Sequence, residues 1–126
     1  MRRMTRGLLS ALLVLATGAA RAGESMVLHV QHVSVVNEPV SNQPALKMEL
    51  TADSKEAFGA FTDRHIGEQV DLKVDGQVVM SPVVREPIRG GEVWINGRFE
   101  KAELVAIAKR VEAADAKVEA EVHDAQ

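Results

Sequence analysis

The sequence predicts an α+β two-layer sandwich, a mainly antiparallel sheet with two helices on one face. Three observations carry that expectation. Val70-Asp71-Leu72-Lys73-Val74 alternates strictly and passes through Asp75-Gly76 into Gln77-Val78-Val79-Met80, the signature of a type I′ hairpin. Leu46, Met48 and Leu50 alternate with Lys47 and Glu49, so a period of two puts the apolar set on one face of another strand. Phe58 and Phe61, and later Leu104, Ile107 and Val111, recur at helical spacing. Short hairpin connections favour antiparallel pairing with the helices gathered on one side.

Residues 1–22 read as a secretory signal peptide cut after Ala22. Three arginines precede the apolar run Leu8 to Ala16, and the small-residue triplet Ala20-Arg21-Ala22 follows. The uncharged stretch from Gly7 to Ala20 is 14 residues, short of the roughly 20 that cross a bilayer as a helix. The expected product begins at Gly23 and resides in the periplasm or outside the cell. Residues 23–44 then form an N-terminal strand and loop. Met26 to Val36 is rich in valine, and Asn37 to Pro44 carries two prolines, two asparagines and a serine.

Residues 45–113 make up the α+β domain. After the strand through Leu50, Asp53 and Glu56 have capping-box spacing ahead of a short helix that Gly67 is placed to end. Gly59 inside that helix costs roughly 1 kcal/mol relative to alanine. With Asp75-Gly76 as the loop, Val74 is expected opposite Gln77, Leu72 opposite Val79 and Val70 opposite Ser81. Asp71 and Lys73 then share the other side with Val78 and Met80. Pro82 and Pro87 bracket an edge or bent exit, Gly90-Gly91 turns the chain, and Val93 and Ile95 alternate with Trp94 in a last strand. Phe99 opens the second helix, whose stripe continues weakly through Ala114, Val118 and Val122. Residues 114–126 are thus expected as a helical or frayed tail.

Fifteen basic and eighteen acidic residues give a net charge of -3; without the four arginines of the leader, 11 basic groups face the same 18 acids and the balance is -7. Neither nucleic acid nor an anionic membrane surface suits that charge. Absence of cysteine removes disulfides, thiolate chemistry, cysteine-type zinc sites and lipid attachment at a cysteine.

From Phe58 to about Val111 the motifs form an ordered series: Phe61-Thr62 before Gly67, Val74-Asp75-Gly76-Gln77-Val78-Val79, Ser81-Pro82, Pro87-Ile88, Gly90-Gly91, and Ile95-Asn96-Gly97-Arg98-Phe99 leading into Lys101-Ala102-Glu103-Leu104. This series resembles the head subdomain of the first periplasmic domain of SecD and SecDF, membrane subunits of bacterial protein export. The resemblance implies the same fold, as a free-standing domain, and an envelope-facing role in contact with translocating polypeptide.

Candidate chemistry is sparse. His29 and His32 stand three apart, which on a strand sends them to opposite faces and argues against a shared metal. Asp63-Arg64-His65 is a tight titratable cluster, best read as a solvated last helical turn with cations near the helix C-terminus. Ser81-Pro82 lacks a nucleophile elbow and Gly90-Gly91 lacks the spacing of a phosphate cradle. The expectation is a protein without catalytic residues, metal or cofactor. Its candidate binding face is Trp94 with Val78 and Met80, because tryptophan and methionine on a sheet surface suit adaptable recognition. Its expected partner is a protein or unfolded polypeptide of the envelope; an exposed edge near Val83 to Glu86 or the first strand offers a second mode by strand addition. The alternative is a small-ligand-binding domain or small enzyme with a pocket between sheet and helices.

Overall fold

A computed structural model describes residues 23–124. The expected leader lies outside the described residues. Two helices and seven strands follow in the order β1 (Ser25–Leu28), β2 (Val30–Asn37), β3 (Pro44–Leu50), α1 (Ala52–Arg64), β4 (Val70–Val74), β5 (Gln77–Met80), β6 (Glu92–Ile95), α2 (Lys101–Glu112) and β7 (Val118–Val122). Every strand pair is antiparallel. The α+β sandwich therefore forms, but its strands divide into two sheets, ordered β1-β7-β4-β5 and β2-β3-β6. The valine-rich stretch expected as one strand breaks at His29, and its two halves serve different sheets. Both helices reach β3, α1 also packing on β1 and α2 on β2.

The core lies where the apolar faces meet. Leu46, Met48, Phe61, Ile95 and Leu104 are all at most 1% exposed, and Val70, Leu72, Val118 and Ala120 join them from the larger sheet. Period-two alternation explains this directly. Leu46 and Met48 pair with Ile95 and Val93 on one face, while Lys47 pairs with Trp94 on the other.

The largest correction is at the C-terminus. The expected helical or frayed tail is a strand, β7, lying between β1 and β4. Helix α2 stops at Glu112 because Ala114 takes φ 61, its N–H donates to Val111 at 3.0 Å and that of Asp115 donates to Arg110 at 2.9 Å. These two bonds form a Schellman stop with alanine where glycine is usual. Beyond it, Val118, Ala120 and Val122 face the core at strand spacing; the two valines, four residues apart, also fit the helical stripe expected from Ala114, and Ala120 fits only the strand.

Smaller corrections follow the same logic. The N-cap of α1 is Thr51, whose hydroxyl accepts from Ser54 N–H at 3.3 Å, so the cap sits two residues before Asp53. Its last residue is Arg64, ahead of Gly67. Helix α2 starts at Lys101 rather than Phe99, with Glu100 and Glu103 forming a reciprocal capping box. The Asp75-Gly76 turn forms, with φ 53 and 81, as type I′ geometry requires. Its hairpin pairs Val74 with Gln77 and Lys73 with Val78, but a bulge then sets Leu72 opposite Met80 instead of Val79. Met80 accordingly leaves the face of Val78 and packs against the core.

Candidate functional site

Pro82 to Gly91 departs from the end of β5, crosses α1 and enters β6. Its conformation is fixed from below by Thr62. That buried hydroxyl donates to the Phe58 carbonyl at 2.9 Å and accepts the Ile88 N–H at 2.8 Å, so a helix residue holds the crossing segment by its backbone. Val84 is tied to the turn that leads into β4 by bonds from its N–H to the Glu68 carbonyl and from Gly67 N–H to its own carbonyl, 2.9 and 2.7 Å. Between this segment, β5 and β6 lies an apolar groove of about 200 Å³. Phe58 and Thr62 of α1, Leu72 of β4, Met80 of β5 and Val93 and Trp94 of β6 are among its lining residues.

The three sequence-derived binding residues are thus divided. Met80 and Trp94 border one groove. Val78 stays exposed beside Lys73 on the outer face of the larger sheet. The physical reason is the bulge at Val79, which reverses the facing of Met80 relative to a regular hairpin. Trp94 lies on the outer face of its sheet next to Lys47, and its indole N–H donates to Glu92 Oε1 at 3.2 Å. Val93 and Ile95 point inward, as alternation requires.

Polar clusters elsewhere have other geometries. Asp71, 7% exposed, accepts Ser81 Oγ–H at 2.6 Å and faces His123 Nδ1 at 2.9 and 3.0 Å. Burial pushes its carboxyl up, but the Ser81 hydroxyl and His123 outweigh burial and hold it below the ordinary aspartate value. Serine and histidine both address the one carboxylate. A hydrolytic relay instead needs histidine in contact with the serine hydroxyl. Arg64 and His65, from the titratable helix end, both meet Glu24 at 2.6 Å, and His65 also meets Glu68 at 3.2 Å. Arg64 first, then His65, keeps the Glu24 carboxyl below its ordinary value. His65 further stacks at a tilt on Phe61, centroids 4.9 Å apart. Asp63 turns away to Arg89 at 3.8 Å. Sequence reasoning found neither Asp71 with His123 nor Glu24, because each partner lies at least 40 residues distant.

His29 sits at the joint between β1 and β2, where its backbone N–H donates to Ser54 Oγ at 2.8 Å, and His32 pairs with Glu49 across β2 and β3. Among the described residues no group of three His, Asp or Glu side chains is arranged to hold a metal ion. Among them also, no helix is long and apolar enough to cross a membrane.

Residues 17–115 match the model of the SecDF P1 head subdomain. Protein translocase subunit SecD of Dictyoglomus turgidum is 37% identical over 70 residues, covering 54% of this chain and 18% of that protein. SecD of Acidaminococcus fermentans is 35% identical over 81 residues, covering 63% and 19%. The chain therefore spans under a fifth of the length of these relatives. A solved structure of SecDF, described as a membrane component that enhances protein export, superposes with TM-score 0.64 at 25% identity, covering 68% of this chain and 38% of that one. A second, of SecDF in a super-membrane-facing form, gives the same TM-score and covers 11% of that chain. Fold, motif order and sequence agree, and the chain belongs to the SecDF P1 head subdomain family.

Proposed function

We propose that this domain serves protein export on the outer side of the cytoplasmic membrane, as a periplasmic or secreted module that holds unfolded polypeptide by surface contact and makes or breaks no bond. The observation that carries the reading is the apolar groove bordered by Met80 and Trp94, on a chain whose relatives are named protein translocase subunits. Apolar lining with an adaptable methionine and a tryptophan at the rim suits segments of varied sequence. The Ser81–Asp71–His123 geometry supports the non-catalytic part, since the serine hydroxyl is aimed at the Asp71 carboxylate and not at the His123 imidazole.

Trp94 is the sole tryptophan, so its fluorescence reports on the groove. Titration with a reduced, unfolded polypeptide is expected to shift the emission saturably, and Trp94→Ala to weaken capture of that polypeptide. Unchanged emission together with full capture by Trp94→Ala overturns the proposal. Thermal stabilisation by a small metabolite with no response to polypeptide favours the pocket-binding alternative instead.

A further inference from the structure

The groove runs along a strand edge whose main chain is unpaired. Across β3, Leu50 N–H donates to the Gly91 carbonyl at 2.8 Å, while Thr51 N–H donates the other way, to His29 at 2.9 Å. Bonding direction alternates residue by residue in an antiparallel ladder, so the even-numbered residues of β3 address β6 and the odd-numbered ones address β2. With Met48 opposite Val93 and Leu46 opposite Ile95, it is Val93 and Ile95 that bond β3. Glu92 and Trp94 direct their N–H and C=O groups outward, and among the described residues no backbone bond takes them up.

The facing edge is blunted. Along β5 the bulge at Val79 bends the strand, and Pro82, which follows it, has no N–H and turns its carbonyl back to Val70 of β4 at 2.9 Å, so little regular main chain is left to pair there. The open edge of β6 beside the apolar trough is therefore where main-chain pairing is on offer.

We infer that the groove takes an extended polypeptide segment as an added strand on β6, its main chain bonding Glu92 and Trp94. Its alternate side chains enter the trough on the Val93 side, and the others lie outward beside the Trp94 indole. The inference rests on the polypeptide-binding reading above and specifies how the segment is held. Main-chain recognition demands only apolar residues at every second position, so it accommodates clients that share no sequence.

The test uses a short peptide alternating valine and serine, and the same peptide N-methylated along one edge. Strand addition predicts slowed amide exchange at Glu92 and Trp94 with the parent peptide, and a loss of about tenfold or more in affinity on methylating the edge that pairs. Glu92→Pro removes one outward N–H at the first residue of β6, where proline fits a strand. It is expected to weaken binding relative to Glu92→Ala, which keeps that N–H, with far-UV circular dichroism checking that both variants fold. Equal binding of parent and both edge-methylated peptides, without protection of the two amides, overturns strand addition and leaves polypeptide binding standing. Absence of binding by any of the peptides overturns both. Protection of the same amides by self-association alone overturns the inference in favour of pairing between two copies of this chain.

Discussion

Asp75 and Lys117 are bonded to each other twice. The Asp75 carboxylate accepts the Lys117 backbone N–H at 2.8 Å, and the Asp75 N–H donates to the Lys117 carbonyl at 2.8 Å. Asp75 also pairs with Arg110 of α2. A turn residue chosen for its positive φ thereby fastens the hairpin to the entry of β7 and to the second helix.

Asp75→Asn should be mild, because asparagine keeps the acceptor and tolerates φ 53, losing only a half-exposed ion pair worth up to about 1 kcal/mol. Asp75→Ala should cost about 1–3 kcal/mol, since it removes the acceptor of a strand-entry N–H and the polar side chain that makes aspartate tolerant of the left-handed region. Urea unfolding of the two variants checks the ranking; equal destabilisation would sink it.

Ala114→Gly is expected to stabilise the domain by up to about 1 kcal/mol. The residue already occupies the left-handed C′ position of a Schellman stop, where glycine has no Cβ penalty. A melting temperature higher by several degrees is the expected readout.

Gly59→Ala should also stabilise, again by up to about 1 kcal/mol. A Cβ there meets Arg89 Cγ at 3.5 Å and the Ile88 carbonyl at 3.6 Å, ordinary contact distances. Gly76→Val contrasts with it. Open space surrounds Gly76, yet its φ of 81 makes a β-branched residue cost on the order of 1–2 kcal/mol or more. Thermal melts of the two variants should move in opposite directions.

Acid should unfold the domain through two identified carboxylates. Both Glu24 and Asp71 have folded pKa values below their ordinary values of 4.5 and 3.8. Each therefore contributes stability that is present above its ordinary value and is lost as pH falls through the folded one. Stability measured between neutral pH and about pH 3 should decline below the ordinary carboxylate range, and the decline should be shallower in Asp71→Asn. At neutral pH that variant should be less stable than the parent, because an amide supplies one acceptor oxygen where Ser81 and His123 use two.

Much of this architecture was legible from short-range pattern. β3 and β4, the I′ turn, and the opposite facing of Trp94 and Val93 all follow from alternation or turn chemistry confined to a few residues. What was not legible depended on competition. Val118 and Val122 fit both a strand and a weak helical stripe, and the residue that ends the helix, Ala114, carries none of glycine's usual signal. Two distant ladders, with β1 and β4, decide in favour of the strand. The bulge at Val79 is equally silent in sequence, and it alone separates Val78 from Met80. Val78, one of the three residues of the expected binding face, therefore lies on another face, while Met80 and Trp94 meet at the groove.

The arrangement of β1 beside β7 has a mechanical meaning. Ser25 lies opposite Glu121 at one end of their ladder and Leu28 opposite Val118 at the other, so the chain enters and leaves at the same end. Tension applied through the flanking chain peels this pair open rung by rung instead of shearing all rungs together. Glu24, clasped by Arg64 and His65, and His123, clasped by Asp71, stand at that fork. Together with the bonds from Val122 N–H to the Glu24 carbonyl and from His123 N–H to Gln69, both at 2.8 Å, these clasps close the end at which such peeling begins.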